Sequence, residues 1–271
     1  MKKSKGKFIV FDVTEFAEWL NSIIVSRQIK RLQNHHTWKP SYSDFDNNNH
    51  FNLLEGMENA HLERGFSEIA QNLTTFPDDT VAVCRALDKI PAGIKGANTG
   101  GICIEHVGNF DKGKDIMSEG HKMVIVMLNA LLCLKFNLQP NSDTIVYHHW
   151  YDLNTGERNN GEGTTKSCPG TNFFGGNKVA DAETNLIPLV VNELSTEVDI
   201  LPIPSEHIIF TGKVKSDNLN VRILPNAKSK IIKVLKKEVV VNAYEINGHW
   251  CRIDPQESYW VNSNFLEKIT T

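Results

Sequence analysis

The sequence contains no run of about 18–20 apolar residues, so no segment is expected to cross a bilayer as a helix. It opens on the basic Met1-Lys2-Lys3, yet Asp12, Glu15 and Glu18 interrupt the apolar residues that follow. No signal peptide is expected on that pattern, and the chain reads as a soluble protein made in the cytoplasm. An extracellular target would have to be reached by another route. Cysteine is scarce: Cys84, Cys103, Cys133, Cys168 and Cys251 are odd in number and widely spaced, which argues against a disulfide framework. Cys84, Cys103 and Cys133 sit among apolar residues and read as small core side chains. An excess of one charge is lacking too, with 29 Lys+Arg against 32 Asp+Glu. Neither nucleic-acid binding nor membrane insertion is expected, and a monomer is. What is present is ordinary globular composition, 40% hydrophobic and 23% charged over 271 residues, enough for one large domain or two average ones.

Charge and pattern divide the chain. Residues 211–271 hold 10 Lys/Arg and 6 Asp/Glu, a balance of +4, which leaves 19 against 26, or −7, for residues 1–210. A basic tail suits an anionic partner, and a lysine-rich strand edge that resists aggregation explains it equally well. In the first part, Phe16, Trp19, Leu20, Ile23 and Ile24 predict a helix over 14–25 with Thr14 as its cap. Further helices are predicted over 51–62 and 116–137. Short apolar runs at 27–33, 81–86, 102–107 and 143–147 predict strands. Their alternation with helices predicts an α/β domain over 1–178. Residues 179–210 have little periodicity and include the two-proline string LPIPSEH, which predicts a linker. From 211 to 271 short strands separated by turns predict a small all-β barrel.

Three places offer soft or borderline metal ligands: His35-His36 and His148-His149, each at a predicted strand end, and Cys168 in the glycine- and proline-rich string KSCPG. Zinc takes imidazole nitrogen and thiolate sulfur, and catalytic sites use three protein ligands with a fourth position open. Within each pair only one histidine can face the metal, because strand side chains alternate. Each residue also has a bland role, as a satisfied histidine or a buried apolar cysteine. The Pro-Gly after Cys168 places it in a turn, and Lys166 nearby favours the thiolate.

The strings NHHTWKPSY, RGFSEIAQN, GICIEHVGNFD, VYHHWYDL and TKSCPGTNFF, in that order, resemble the motifs of the amidase-2 family of N-acetylmuramoyl-L-alanine amidases and peptidoglycan-recognition proteins. The resemblance covers about residues 28–176. It implies a central mixed β-sheet flanked by helices, and one zinc ion per chain held by His35, His148 and Cys168. The family usually places its second histidine closer to the cysteine; here twenty residues separate His148 from Cys168. The loop 153–165 reads as an insertion, and His149 stays open as the alternative ligand. The substrate implied is peptidoglycan, cut between N-acetylmuramic acid and L-alanine.

Glu105 lies in an apolar strand, where an unpaired carboxylate is costly. It is either a strand-end partner of a surface base or a general base; the resemblance implies the latter. Lys166 is a solvated loop charge or, as in phage-type members, an oxyanion donor. Where many members carry a tyrosine, this chain has Gln71, which cannot act as a base. His61, Arg85 and Asn98 are further candidates for the substrate groove, each with a purely structural role as an equal alternative. At the C-terminus, Leu219-Asn220-Val221-Arg222, Pro225, Trp250 and Trp260-Val261 resemble a bacterial SH3 domain. That resemblance implies wall binding; Trp250 and Trp260 are candidates for the binding surface, with core packing the expected role of at least one of them. The competing readings are an inactive peptidoglycan sensor, a cysteine peptidase built on Cys168, and a structural zinc scaffold.

Overall fold

Two strand-length runs, Arg31–His36 and Gly101–His106, are buried almost throughout and form the middle of a sheet. The computed structural model describes residues 2–200, 208–223, 225–227, 229, 231–255 and 259–269, with only the backbone for 195–200. It divides into two units, Met1–Glu193 and Leu194–Thr271.

The first unit is built on β1 (Lys3–Lys5), β2 (Phe8–Phe11), β3 (Arg31–His36), β4 (Leu73–Thr75), β5 (Val81–Val83), β6 (Gly101–His106) and β7 (Ile145–Tyr147). Their order in the sheet is β1-β2-β5-β4-β6-β3-β7. β4, β6, β3 and β7 pair in parallel, and β1, β2, β5 and β4 pair antiparallel, so the sheet is mixed. The long helices are α1 (Val13–Ser22), α2 (His50–Glu63) and α3 (Glu119–Phe136). Alternation along β2 assigns them to faces. Phe11 meets Phe16 and Trp19 of α1 at 6.2 and 5.7 Å between ring centroids. Phe8 and Val10 instead join Leu54 and Met57 of α2 in one apolar cluster. α1 and α2 therefore cover opposite faces, and α3 packs beside α1. The central mixed sheet with flanking helices is thus the architecture of this unit.

Local chemistry explains where the helices start and stop. The cap of α1 is Asp12 and not Thr14. The Asp12 carboxylate accepts from the Glu15 amide at 2.9 Å, and the Glu15 carboxylate accepts from the Asp12 amide at 3.2 Å, a reciprocal pair that satisfies two donors. α3 begins at Ser118, whose hydroxyl accepts from the His121 amide, and ends at Asn137 in the left-handed conformation.

Residues 179–200 depart from the expected linker. They are helical, running through α4 (Val179–Asp181), a π-helical turn (Ala182–Leu186) and α5 (Ile187–Ile200), and they bury Ala182, Leu186, Ile187 and Val190. The wide π turn lies just before Pro188, which has no amide proton for a regular helical bond. Residues 201–207, in the same expected linker, lie outside the described residues.

The second unit is all-β, with antiparallel sheets of order β10-β9-β14-β13-β12 and β11-β8-β15. The strands are β8 (Phe210–Val214), β9 (Asn218–Arg222), β10 (Ile231–Lys236), β11 (Val240–Ala243), β12 (Glu245–Asn247), β13 (Trp250–Arg252), β14 (Trp260–Asn262) and β15 (Leu266–Ile269). Val214, Leu219, Val221, Ala243, Cys251, Val261 and Leu266 form its core. Trp260 is buried and so takes the core-packing role expected of at least one of the two tryptophans; Trp250 is half-buried. Among the described residues no helix is long and apolar enough to cross a membrane.

Candidate metal centre and groove

β3 and β6 run parallel with His35 opposite Glu105 and His36 opposite His106. Alternation turns His35 and Glu105 toward the α2 face, and Asn34 and His106 toward the α3 face. β7 lies on the other side of β3, and the chain leaves it at Tyr147 directly into His148. The loop carrying Cys168 is drawn in by several bonds. The His149 amide donates to the Cys168 carbonyl at 2.7 Å, and the Asn177 side chain donates to the Ser167 carbonyl at 2.8 Å. Gly170 in that loop has φ +119, and a Cβ there would come within 2.5 Å of the Phe110 carbonyl. Only glycine fits both constraints.

The result is a cluster. His35 Nδ1 lies 3.2 Å from His148 Nδ1 and 3.5 Å from Cys168 Sγ. The three potential ligand atoms all lie within 4.8 Å of one another, so these residues can hold a metal ion. Glu105 Oε1 is 3.9 Å from His35 Nδ1. The second member of each histidine pair faces elsewhere. His36 Nδ1 accepts from the Phe110 amide at 3.1 Å, and His149 Nδ1 pairs with the Lys166 carbonyl at 2.7 Å. His148, not His149, is therefore the histidine beside His35. The loop 153–165 between His148 and Cys168 closes on itself: Asp152 accepts from the amides of Asn154 and Thr155, and the Leu153 amide donates to the Thr164 carbonyl.

Burial sets the electrostatics. It drives the His35 imidazole well below its ordinary value, with His148 adding to the effect, and it pushes His148 down to about 3, with Lys166 adding. Both rings are neutral, the form that offers a lone pair to a metal. Burial raises the Cys168 thiol well above its ordinary value, and Glu105 raises it further. Burial also pushes Glu105 up to about 8, while Lys166 pulls the other way. Two buried atoms at this spot, His35 Nε2 and Glu105 Oε2, have no hydrogen-bond partner among the described residues.

The cluster lies in a groove of about 880 Å³. Trp38 and Lys39 line it just beyond β3, Met57, His61 and Arg64 line it from α2, and Lys166 to Cys168 complete it. The sequence model of the N-acetylmuramoyl-L-alanine amidase family matches residues 25–171, more than half of the chain and the whole span from His35 to Cys168. The chain belongs to that family. Among solved structures, the endolysin N-acetylmuramoyl-L-alanine amidase LysCS from Clostridium intestinale URNW is similar at 20% identity, over 54% of this chain and 78% of that one, with a TM-score of 0.40. Drosophila PGRP-LB is similar at 17% identity, over 59% and 82%, with a TM-score of 0.45. No curated protein matches the chain.

Set on this amidase-family framework, the remaining candidates separate. Lys166 is exposed on the groove lining. His61 also lines it; its Nδ1 accepts from the Ala70 amide and its ring stacks on Phe66. Arg85 does not line it. Its buried guanidinium is spent on the carbonyls of Ile69, Ile90 and Glu68, so its role is to hold that loop. Asn98 likewise caps the amides of Gly93 and Ile94 at 2.9 Å and is not a groove residue. Gln71 is buried in the groove lining and donates to Thr74 Oγ1 at 3.1 Å.

Trp38, Lys39 and Arg64 were not among the expected groove residues. Trp38 is 61% exposed and has φ +59. For a bulky residue that conformation costs about 1–3 kcal/mol and persists only where the surroundings impose it. Here the Thr37 and Trp38 amides donate to the His106 and Gly108 carbonyls, both at 3.0 Å, and the Gly108 amide donates to Thr37 Oγ1 at 3.0 Å. The tryptophan stood inside the first motif, but nothing in the sequence marks its backbone conformation.

Proposed function

We propose that the chain is a zinc-dependent peptidoglycan hydrolase that cuts the amide between N-acetylmuramic acid and the L-alanine of the stem peptide. The observation that carries this reading is the meeting of His35, His148 and Cys168 beside Glu105 in an open groove of an amidase-family chain. Zinc bonds of about 2.0–2.3 Å in tetrahedral array put ligand atoms about 3.3–3.7 Å apart, close to the 3.2 and 3.5 Å separations from His35 Nδ1. Two neutral imidazoles and a soft sulfur suit zinc, and a buried thiolate needs a cation beside it.

In this reading His35, His148 and Cys168 hold the ion, which when bound polarises the scissile carbonyl and acidifies a water. Glu105 takes a proton from the attacking water and returns it to the alanine nitrogen as the carbon–nitrogen bond breaks. Lys166 donates to the oxygen that becomes negative as the tetrahedral centre forms. Gln71 has no basic group to offer, so proton transfer falls to Glu105. The products are the free carboxylate of the lactyl group and the free amine of the peptide.

A chelator is expected to abolish release of stem peptides from purified wall, and one equivalent of zinc to restore it. Mass spectrometry of the fragments identifies the bond. Activity that survives the chelator but not thiol alkylation would make Cys168 a nucleophile paired with His35. Zinc bound without any bond cut would make the chain a sensor. Residues 211–271 are proposed to hold the enzyme on the wall as an SH3-like module, raising local substrate concentration. Their removal should weaken wall binding more than cleavage of a small soluble muropeptide; equal losses would contradict that role.

A further inference from the structure

The proposed reaction gives the groove residue Trp38 no task. Trp38 is the most exposed large aromatic side chain among the described residues, and its strained backbone is pinned by bonds to the loop after β6. An exposed tryptophan recovers little burial energy, so core packing does not account for the strain. Its surroundings are polar: Lys39 and Asp44, ion-paired at 2.8 Å, and Asn52 line the same groove. An apolar peptide side chain would gain from the indole but not from these neighbours. A pyranose ring matches both, because its carbon–hydrogen face is apolar and its edge carries hydroxyls and an amide.

We propose that Trp38 is the platform on which a sugar ring of the substrate stacks, which makes it the residue that separates glycan-linked peptides from free peptides. The assignment rests on the amidase reading above. Because the turn is pinned in advance, the indole is displayed before substrate arrives, and little ordering is needed on binding. The contact is made equally in ground and transition states, so it acts on KM and not on kcat.

The test compares the variants Trp38→Gly and Trp38→Phe on two substrates. One is a soluble disaccharide-peptide; the other is the same peptide carrying only a lactyl group. Glycine accepts the left-handed backbone, so the turn survives the loss of the ring. The native enzyme should show a lower KM for the disaccharide-peptide. Trp38→Gly should raise that KM about tenfold with kcat held, collapsing the preference between the two substrates. Trp38→Phe should keep most of it. A preference that survives Trp38→Gly overturns the platform. Saturation-transfer NMR with the disaccharide-peptide supplies a readout that does not depend on turnover. Sugar-ring protons should receive saturation from the native protein and lose it in Trp38→Gly. Absence of turnover with that contact present would sink the amidase reading alone, and no saturation of the ring in the native protein would sink the platform.

Discussion

Asn34 and His35 are neighbours on β3, and Glu105 and His106 are neighbours on β6, yet the two faces they occupy treat polar atoms differently. On the α3 face a run of side chains is paired from end to end, although the buried Tyr147 hydroxyl on that face has no partner among the described residues. His106 bonds Asn34 Oδ1 at 3.0 Å and Thr75 Oγ1 at 2.8 Å, Thr75 bonds His121 Nε2 at 2.7 Å, and His121 Nδ1 bonds the Tyr42 hydroxyl at 2.8 Å. Asn34 and Asn129 exchange a reciprocal pair at 3.1 Å. The donors run in one direction, from the Tyr42 hydroxyl through His121, Thr75 and His106 to Asn34. On the groove face His35 Nε2 and Glu105 Oε2 have no partner among the described residues, and the three potential ligand atoms crowd one another. Buried polar groups normally pair, because each unpaired one costs about 1–3 kcal/mol. The α3 face therefore spends its histidines and asparagines on a paired network, whereas the groove face leaves a histidine and a carboxylate atom unpaired beside the cluster.

The sharpest way to break this contrast is Glu105→Gln. On the groove face the change should leave one metal per chain and lower kcat by about 10²–10⁴-fold, checked by metal analysis beside wall lysis. A normal rate would remove Glu105 from the role of base.

The smaller effect belongs to the α3 face. His121→Leu strands Thr75 and Tyr42 and should cost about 1–3 kcal/mol of stability, read from urea unfolding, while metal content is kept. Burial drives His121 down to about 3 in the fold, against about 6.5 unfolded. Below about pH 6.5 the unfolded chain takes up a proton that the folded chain refuses. Native stability is then greatest above that pH and falls toward pH 3, at up to about 1.4 kcal/mol per pH unit for this residue. The leucine variant should lose one proton from that slope; an unchanged slope would mean His121 is not held neutral by the fold.

The two faces also differed in how far the sequence revealed them. His35, His148, Cys168 and Glu105 were legible because their residue types are costly in strands and turns unless used, and because they stand in recognisable motifs. The α/β alternation and the all-β tail were legible from periodicity. The relay on the α3 face was not, since Thr75 lies on β4, a strand too short to give a pattern, and nothing ties it to His121 before the fold brings them together. β1 and β2 were missed because the basic, interrupted N-terminus was weighed only as a leader. The helical run over 179–200 was hidden by Pro188, which the π turn accommodates. For Arg85 and Asn98 the sequence left groove and structural roles open, because their partners are backbone carbonyls and amides, which no side-chain pattern advertises. Which tryptophan packs in the core was not legible, because a tryptophan in a short strand reads the same whether it faces a ligand or a core.

X-ray absorption at the zinc edge on the purified protein bears most directly on the proposed centre. One zinc per chain is predicted, with two nitrogen ligands at about 2.0–2.1 Å and one sulfur at about 2.3 Å. The sulfur shell should vanish in Cys168→Ser. A protein that takes up no zinc, or binds it through nitrogen and oxygen alone, would contradict the assignment of His35, His148 and Cys168 to a single metal centre.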